Sequence, residues 1–207
     1  MLSIIEVRML KMHQLPTSDK SIRTAFKSTL FNKYKKQKET RIIEELGLSN
    51  GAARVDIAVV NGVIHGYEFK SDIDTLIRLP EQMNVYNSVL DKVTLVVGKN
   101  HLYNAIHLIP DWWGIVIAKV VNTENMVKFF EIRKSKSNPE RDSLAIAKLL
   151  WREEALKILE ELNHAKGVKS KQKHFIYERL VENLNQELLS KKVRRQLITR
   201  VGWRVDE

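Results

Sequence analysis

Three charged residues in the central part of the chain have the types and spacing of a metal-dependent hydrolytic site. Asp56 lies in the apolar stretch RVDIAVV, and Glu68 and Lys70 lie in GYEFK, shortly after Asn61-Gly62. Two neighbouring carboxylates repel each other unless a cation lies between them, and Mg²⁺ is often held by one or two carboxylates plus water. Such an ion polarises a phosphate, and a lysine beside it can stabilise the charge that develops. The pattern therefore predicts phosphodiester hydrolysis, with a cross-strand ion pair as the structural alternative.

Whether the two acids can meet depends on the register of the hairpin that carries them. A two-residue Asn61-Gly62 turn, the strongest short hairpin signal, sets Asp56 opposite Tyr67 and turns its carboxylate to the wrong face. One extra residue corrects this, either as a bulge at Gly66 or in a longer turn that includes Val63. We therefore predict a break in register between residues 61 and 66.

The elements that must position these residues read as a mixed α/β (α+β) core followed by a helical tail. In chain order, periodicity and turn signals predict a helix over residues 18–37, strands over 41–46, 54–60 and 63–69, a helix over 80–90, a strand over 93–97, a short helix over 101–108, and strands over 115–121 and 126–132 around a turn at 122–125. The polar stretch 134–142 is predicted to be a linker, and helices are predicted over 143–164, 171–189 and 191–203. We therefore expect two domains, residues 1–133 and 141–207.

The charge of the chain indicates a polyanionic partner. The formal net charge is +10, of which residues 1–132 carry +3 and residues 133–207 carry +7. A basic domain of this kind most often meets nucleic acid. In the tail, a basic cluster is predicted to follow a phosphate backbone, with a solvated helix face as the alternative: Lys191, Lys192, Arg194 and Arg195.

Two absences bound the class of protein. The chain contains no cysteine, which excludes a disulfide framework and thiolate metal sites. No run of about 18 apolar residues predicts a membrane span. We therefore expect a cytoplasmic protein with no membrane partner.

The layout resembles the PD-(D/E)XK nuclease superfamily, in which an αβββαβ core carries an acid on one strand and E-x-K on the next. Here these residues are Asp56 and then Glu68-Phe69-Lys70. The likeness covers residues 40–120, where the text is similar to a bacterial and phage branch of the superfamily, and the stretches PDWWG, LLWREE and GWR are candidates for its extension. The resemblance implies a restriction-endonuclease-like core with a C-terminal helical extension. It also implies a nuclease that uses Mg²⁺ or Mn²⁺, with DNA favoured over RNA.

The resemblance also implies roles for further residues. An upstream glutamate often completes the metal site, and Glu45 is favoured over Glu44, although strand alternation does not decide between them. Gln82 and Tyr86 stand four apart on one helix face. The resemblance places both beside the catalytic site, where they help to hold substrate or metal-bound water, with Tyr86 at the nucleic acid; the alternative is a capped helix start with an ordinary half-buried tyrosine. Arg78 is expected near a phosphate.

Two questions stay open at this point. A chain of the same fold could bind nucleic acid without cleaving it, as an accessory protein of repair or defence. Nucleases of this kind also often pair to cut two strands, so a homodimer is a further alternative.

Overall fold

The computed structural model describes residues 16–121 and 126–203. Within its sheet, a hairpin with a three-residue turn carries Asp56 and Glu68. Val60 pairs with Ile64, so the turn comprises residues 61–63. The turn therefore includes Val63, as one of the two predicted devices requires, and the hairpin has no bulge at Gly66. The same register, continued toward the far end of the hairpin, sets Asp56 opposite Glu68.

The sheet has six strands, in the same order as in the chain. The strands are β1 (Arg41–Leu48), β2 (Ala53–Val60), β3 (Ile64–Lys70), β4 (Lys92–Gly98), β5 (Gly114–Val120) and β6 (Val127–Arg133). The pairs β3–β4 and β4–β5 are parallel, and the other neighbours are antiparallel. The predicted α+β class with a mixed sheet is confirmed. The turn predicted at residues 122–125 lies outside the described residues.

Seven α-helices accompany the sheet in the described ranges. They are α1 (Asp19–Tyr34), α2 (Leu79–Val89), α3 (Leu102–Leu108), α4 (Ser143–Ala147), α5 (Arg152–Glu161), α6 (Lys173–Asn183) and α7 (Gln186–Thr199). No helix in these ranges combines the length and the apolar character needed to cross a membrane.

One face of the sheet is covered by α1. Ser18 caps this helix, because its side chain accepts a hydrogen bond from the backbone N–H of Ser21. The buried side chains of α1 recur every four residues and pack against alternate residues of β2 and β3, forming a small core that includes Ile22, Phe26, Leu30, Ile57, Tyr67 and Phe69. Because Tyr67 and Phe69 point to this face, Glu68 and Lys70 point to the other.

The opposite face is covered by α2 and by the C-terminal helices. Apolar side chains of α4 to α7 belong to the same buried cluster as those of the sheet. Asn138, in the predicted linker, is buried and donates hydrogen bonds to the carbonyl oxygens of Asn87 (2.7 Å) and Leu90 (2.8 Å). In the described residues, both parts of the predicted division therefore contribute to one hydrophobic core.

The tail also contains more helices than its periodicity predicted. The helix expected over residues 143–164 is interrupted between α4 and α5. The Glu154 carboxylate accepts the backbone N–H of Trp151 (2.7 Å), which starts α5 there. Asn185 starts α7 in the same manner by accepting the N–H of Leu188 (2.9 Å). The apolar spacing of three and four residues continues through these breaks, so it does not show where one helix ends. The capping side chains set the start of the next helix.

His65 lies half-buried in the hairpin and bonds through both ring nitrogens. Its Nε2 lies 2.8 Å from Thr94 Oγ1, and its Nδ1 lies 3.2 Å from the hydroxyl of Tyr67. Burial, together with the charges of Lys92 and Lys33, lowers the pKa of His65 to about 3. The folded chain therefore keeps this ring neutral at pH values where the unfolded chain protonates it.

We expect this difference in pKa to make stability depend on pH. The contribution is complete above pH 6.5 and is lost as the pH falls toward 3, because only the unfolded state binds the proton in that window. Between pH 7 and pH 5 the loss is about 1–2 kcal/mol. Urea denaturation at the two pH values should show a smaller loss for His65→Asn, whereas His107→Asn, an exposed control, should match the parent. Equal losses in all three proteins would contradict the prediction.

Candidate active site

The three residues of the predicted hydrolytic site line one cavity. Asp56, Glu68 and Lys70 face a space of about 730 Å³ near the end of β2 and β3 that lies away from the hairpin turn. Six of the described lining residues are acidic and four are basic, namely Asp19, Glu45, Asp56, Glu68, Asp74 and Glu81 against Arg23, Arg54, Lys70 and Arg78. An excess of carboxylates in a chain of net charge +10 fits a site that receives a cation.

Glu68 is fixed by three side-chain partners. It is 1% exposed. Its Oε1 accepts hydrogen bonds from Lys70 Nζ (2.6 Å) and Gln82 Nε2 (2.8 Å), and its Oε2 lies 2.6 Å from the hydroxyl of Tyr86. The lysine neutralises the buried carboxylate, and α2 orients it. The predicted placement of Gln82 beside the site therefore holds in the structure.

Tyr86 positions Glu68 from the interior. The side chain is fully buried, and its hydroxyl also lies 2.8 Å from the carbonyl oxygen of Arg54. Burial and the charge of Glu68 raise the pKa of Tyr86 above its usual value, so the hydroxyl remains a donor. The predicted contact of Tyr86 with nucleic acid stays a prediction, and the structure places its side chain in the interior, against Glu68.

Asp56 links helix α1 to strand β3. Its Oδ2 accepts the backbone N–H of Phe69 (2.8 Å), and its Oδ1 accepts a hydrogen bond from Arg23 (2.7 Å). Burial and the charge of Glu68 raise the pKa of Asp56 to about 7. Asp56 and Glu68 line the same cavity.

The backbone of β1 turns Glu45 toward the cavity. Glu45 has a φ of 53°, in the left-handed region that residues other than glycine seldom adopt. This kink interrupts the alternation of β1, so Ile43 and Leu46 enter the same core although they are three residues apart. Glu45 lines the cavity, whereas Glu44 is exposed and pairs with Lys27. The structure therefore favours Glu45, the choice that alternation left open.

Arg23 is a member of the site that the sequence interpretation missed. It reaches the cavity from α1 and contacts Glu45 and Asp56, and it lies 3.3 Å from Asp19. In the sequence only the four-residue spacing of Asp19 and Arg23 indicated any role. Its contacts with β1 and β2 join residues 22 and 33 positions apart, which no local pattern reveals.

The donor set suits Mg²⁺ or Mn²⁺, because every candidate ligand is a carboxylate. In the part of the chain that the structure describes, no group of three or more acids or histidines converges in metal-ligand geometry. Arg23 bridges Glu45 and Asp56, and Lys70 contacts Glu68, so each of these acids pairs with a cation of the chain. Asp56 and Glu68, which line the same cavity, are the carboxylates that would hold such an ion, with Glu45 beside them.

The remaining predicted residues fall at two places. Arg78 is exposed at the rim of the active-site cavity, where a phosphate can reach it. Lys191, Arg194 and Arg195 line a different cavity of about 1070 Å³, beside residues 37–40 and the β2–β3 turn. Lys192 points elsewhere and pairs with Glu161 (2.8 Å). The second cavity is separate from the first: at about 3.3 Å per residue along β2, the β2–β3 turn begins about 17 Å from Asp56.

Comparison with known proteins gives one family and few close relatives. The chain matches the family model described as bacteriophage P4 protein cII over residues 17–205. Protein cII of Enterobacteria phage P4 is 30% identical over 98 residues, which cover 47% of this chain and 36% of that protein, so the aligned stretch is little more than a third of its length. A solved protein of unknown function from Silicibacter pomeroyi matches with 16% identity and a TM-score of 0.38, over 73% of this chain and 92% of the other.

Proposed function

We propose that this chain, which belongs to the bacteriophage P4 protein cII family, is a metal-dependent nuclease that hydrolyses phosphodiester bonds, with DNA as the favoured substrate. The observation that carries the proposal is the meeting of Asp56, Glu68 and Lys70 in one cavity. The element order α1-β1-β2-β3-α2-β4 supports placing the chain in the PD-(D/E)XK superfamily, as does the position of an acid on β2 and E-x-K on β3. The family match itself carries no activity.

The chemistry divides between a bound ion and the residues of the chain. Mg²⁺ or Mn²⁺, held by Asp56 and Glu68, would polarise the phosphate and lower the pKa of a bound water. Lys70 lies against Glu68 and supplies a positive charge that stabilises the negative charge developing on the phosphorus centre. Gln82 holds Glu68 through its amide N–H, and its Oε1 is a buried acceptor without a partner among the described residues, available to orient a water.

Exposed cations at two places support a nucleic-acid substrate. Arg78 is exposed at the rim of the cavity, where it can contact the phosphate next to the scissile one. The second region is the basic cavity at the other end of the hairpin, to which Lys38, Lys191 and Arg195 contribute exposed cations. Cations in both places would bind a polyanion in a salt-dependent manner without reading its sequence.

Cleavage assays test this function directly. Supercoiled plasmid, linear duplex, single-stranded DNA and RNA are incubated with the protein in Mg²⁺, Mn²⁺ or EDTA. We expect cleavage only with a metal, and a fall of about 100-fold or more for Asp56→Asn, because one carboxylate ligand becomes an amide. Asp111→Asn is the matched control, since the Asp111 side chain is 98% exposed and lies outside the cavity.

A second candidate is a nucleic-acid-binding protein of the same fold that does not cleave. The observation that favours it is the set of internal partners: Arg23 pairs with Asp56, and Lys70 pairs with Glu68. Salt-sensitive DNA binding without cleavage of any substrate in either metal would support this candidate and contradict the first.

A further inference from the structure

We infer that Arg23 is an internal counter-ion that a divalent metal displaces from Asp56, and that the released guanidinium then binds the substrate phosphate. The inference rests on the proposed function, because it concerns the same metal site. It assigns to Arg23 a role in both metal affinity and substrate binding.

The first step is the position of Arg23. One guanidinium nitrogen contacts Glu45, and the other lies 2.7 Å from Asp56 Oδ1 and 3.3 Å from Asp19. Two of these three acids are candidate metal ligands, and they come from adjacent strands. Arg23 therefore already occupies a carboxylate oxygen that a metal ion at Asp56 would use.

The second step is competition for one oxygen. The Oδ2 atom of Asp56 already accepts the backbone N–H of Phe69 (2.8 Å), and its Oδ1 accepts the hydrogen bond from Arg23. A metal ion that binds Oδ1 competes with Arg23 for this atom, since two cations repel each other at contact distance. Each cation therefore weakens the binding of the other at this carboxylate.

The third step is the destination of the displaced side chain. The Arg23 side chain is 25% exposed and already lines the cavity, so it needs no passage through the core. Asp19, one turn earlier on α1 and 46% exposed, keeps the guanidinium at the mouth of the cavity. The Nε atom of Arg23 is buried and has no hydrogen-bond partner among the described residues, so moving the guanidinium breaks no hydrogen bond from that nitrogen. A planar guanidinium in that place matches a phosphate bidentately.

The test compares metal affinity and catalysis in variants of α1. Mn²⁺ binding is measured by isothermal titration calorimetry on the wild-type chain, Arg23→Met and Arg23→Lys. We expect Arg23→Met to bind Mn²⁺ about tenfold more tightly and to need less Mn²⁺ for half-maximal cleavage. At saturating Mn²⁺ the same variant should show a kcat/KM for DNA about tenfold or more below the wild-type value. Arg23→Lys, which keeps a cation, should lie between the two.

The matched control is Lys27→Met. Lys27 lies one turn after Arg23 on the same helix and pairs with Glu44, which does not line the cavity. This variant should match the wild-type chain in Mn²⁺ affinity and in kcat/KM. A role of Arg23 in folding alone would not move metal affinity and kcat/KM in opposite directions.

The outcomes separate this inference from the proposed function. Unchanged or weaker Mn²⁺ binding by Arg23→Met, in a wild-type chain that cleaves, would overturn the inference and leave the function standing. Absence of cleavage by the wild-type chain would overturn the proposed function. If Arg23→Met does not fold, Arg23→Lys and the side-chain Nε–H NMR signal of Arg23 in the wild-type chain decide: a signal that Mg²⁺ leaves unmoved contradicts the displacement.

Discussion

Replacement of Lys70 by methionine is expected to lower metal-dependent cleavage by about 10²–10³-fold. The Lys70 ammonium lies 2.6 Å from Glu68 Oε1 in the active-site cavity, and the side chain is only 10% exposed. Methionine has a similar length and an apolar stem, so the change removes the charge and little of the packing. Initial rates on plasmid DNA at saturating Mg²⁺ measure the effect.

The same substitution should leave metal binding intact. Lys70 competes with an ion for Glu68, so Mn²⁺ affinity in Lys70→Met should be equal to or higher than that of the parent chain. In EDTA the variant should be less stable than the parent, because the buried Glu68 then lacks its cation, and added Mg²⁺ should reverse part of that loss. Lys128→Met, an exposed change on β6, is the control. A Lys70→Met variant that cleaves within threefold of the parent would contradict a catalytic role for the lysine.

Replacement of Arg200 by alanine is expected to lower the free energy of unfolding by about 3–5 kcal/mol. Arg200 is 6% exposed and donates to both carboxylate oxygens of Glu154, from Nε (2.7 Å) and from NH2 (2.6 Å). It also donates to the carbonyl oxygen of Leu149 (2.9 Å). The guanidinium also lies near the rings of Trp151 and Trp203, 4.4 and 4.6 Å from their centroids. Removing it leaves Glu154 with a largely buried charge that has lost its cation.

Urea denaturation followed by circular dichroism measures this loss. Arg200→Lys should recover only part of the stability, because an ammonium cannot form the bidentate pair or stack on an aromatic ring as a planar guanidinium does. Arg195→Ala is the control: it lies on α7 and is exposed, so the change should stay within about 0.5 kcal/mol. A loss below about 1 kcal/mol for Arg200→Ala would show that the cluster contributes little to the fold.

The Arg200 cluster also accounts for two stretches that stood out in the sequence. LLWREE provides Leu149, Trp151 and Glu154, and the end of the chain provides Arg200 and Trp203. These residues meet because α5 begins where α7 ends. A family likeness in the two stretches is therefore explained by packing and does not require a role in catalysis.

The hairpin and its acids could be predicted because they depend on local rules. Alternation along a strand assigns Glu68 and Lys70 to one face, and counting residues across the turn shows that one extra residue is required. Helix α1 with its cap and apolar stripe could be predicted for the same reason. Each of these features depends on residues within one element or one hairpin.

The positions of Glu45 and Arg23 at the site depend on tertiary structure. The left-handed backbone at Glu45 breaks the alternation on which the strand prediction depended, and such a conformation leaves no mark on residue types. Arg23 joins the site through contacts between α1 and strands β1 and β2. Contacts of this kind depend on how layers pack, which the sequence of one element does not determine.

The helical tail shows the same division. By itself the sequence determined that residues beyond 142 form amphipathic helices, because apolar spacing of three and four residues is a local property. It did not determine where those helices break or that they share the core of the sheet. Those features depend on capping by Glu154 and Asn185 and on the burial of apolar stripes against another layer, and both require distant parts of the chain to be in place. The chemistry of the site was therefore encoded locally, whereas its counter-ion, its third acid and its enclosing helices were set by packing.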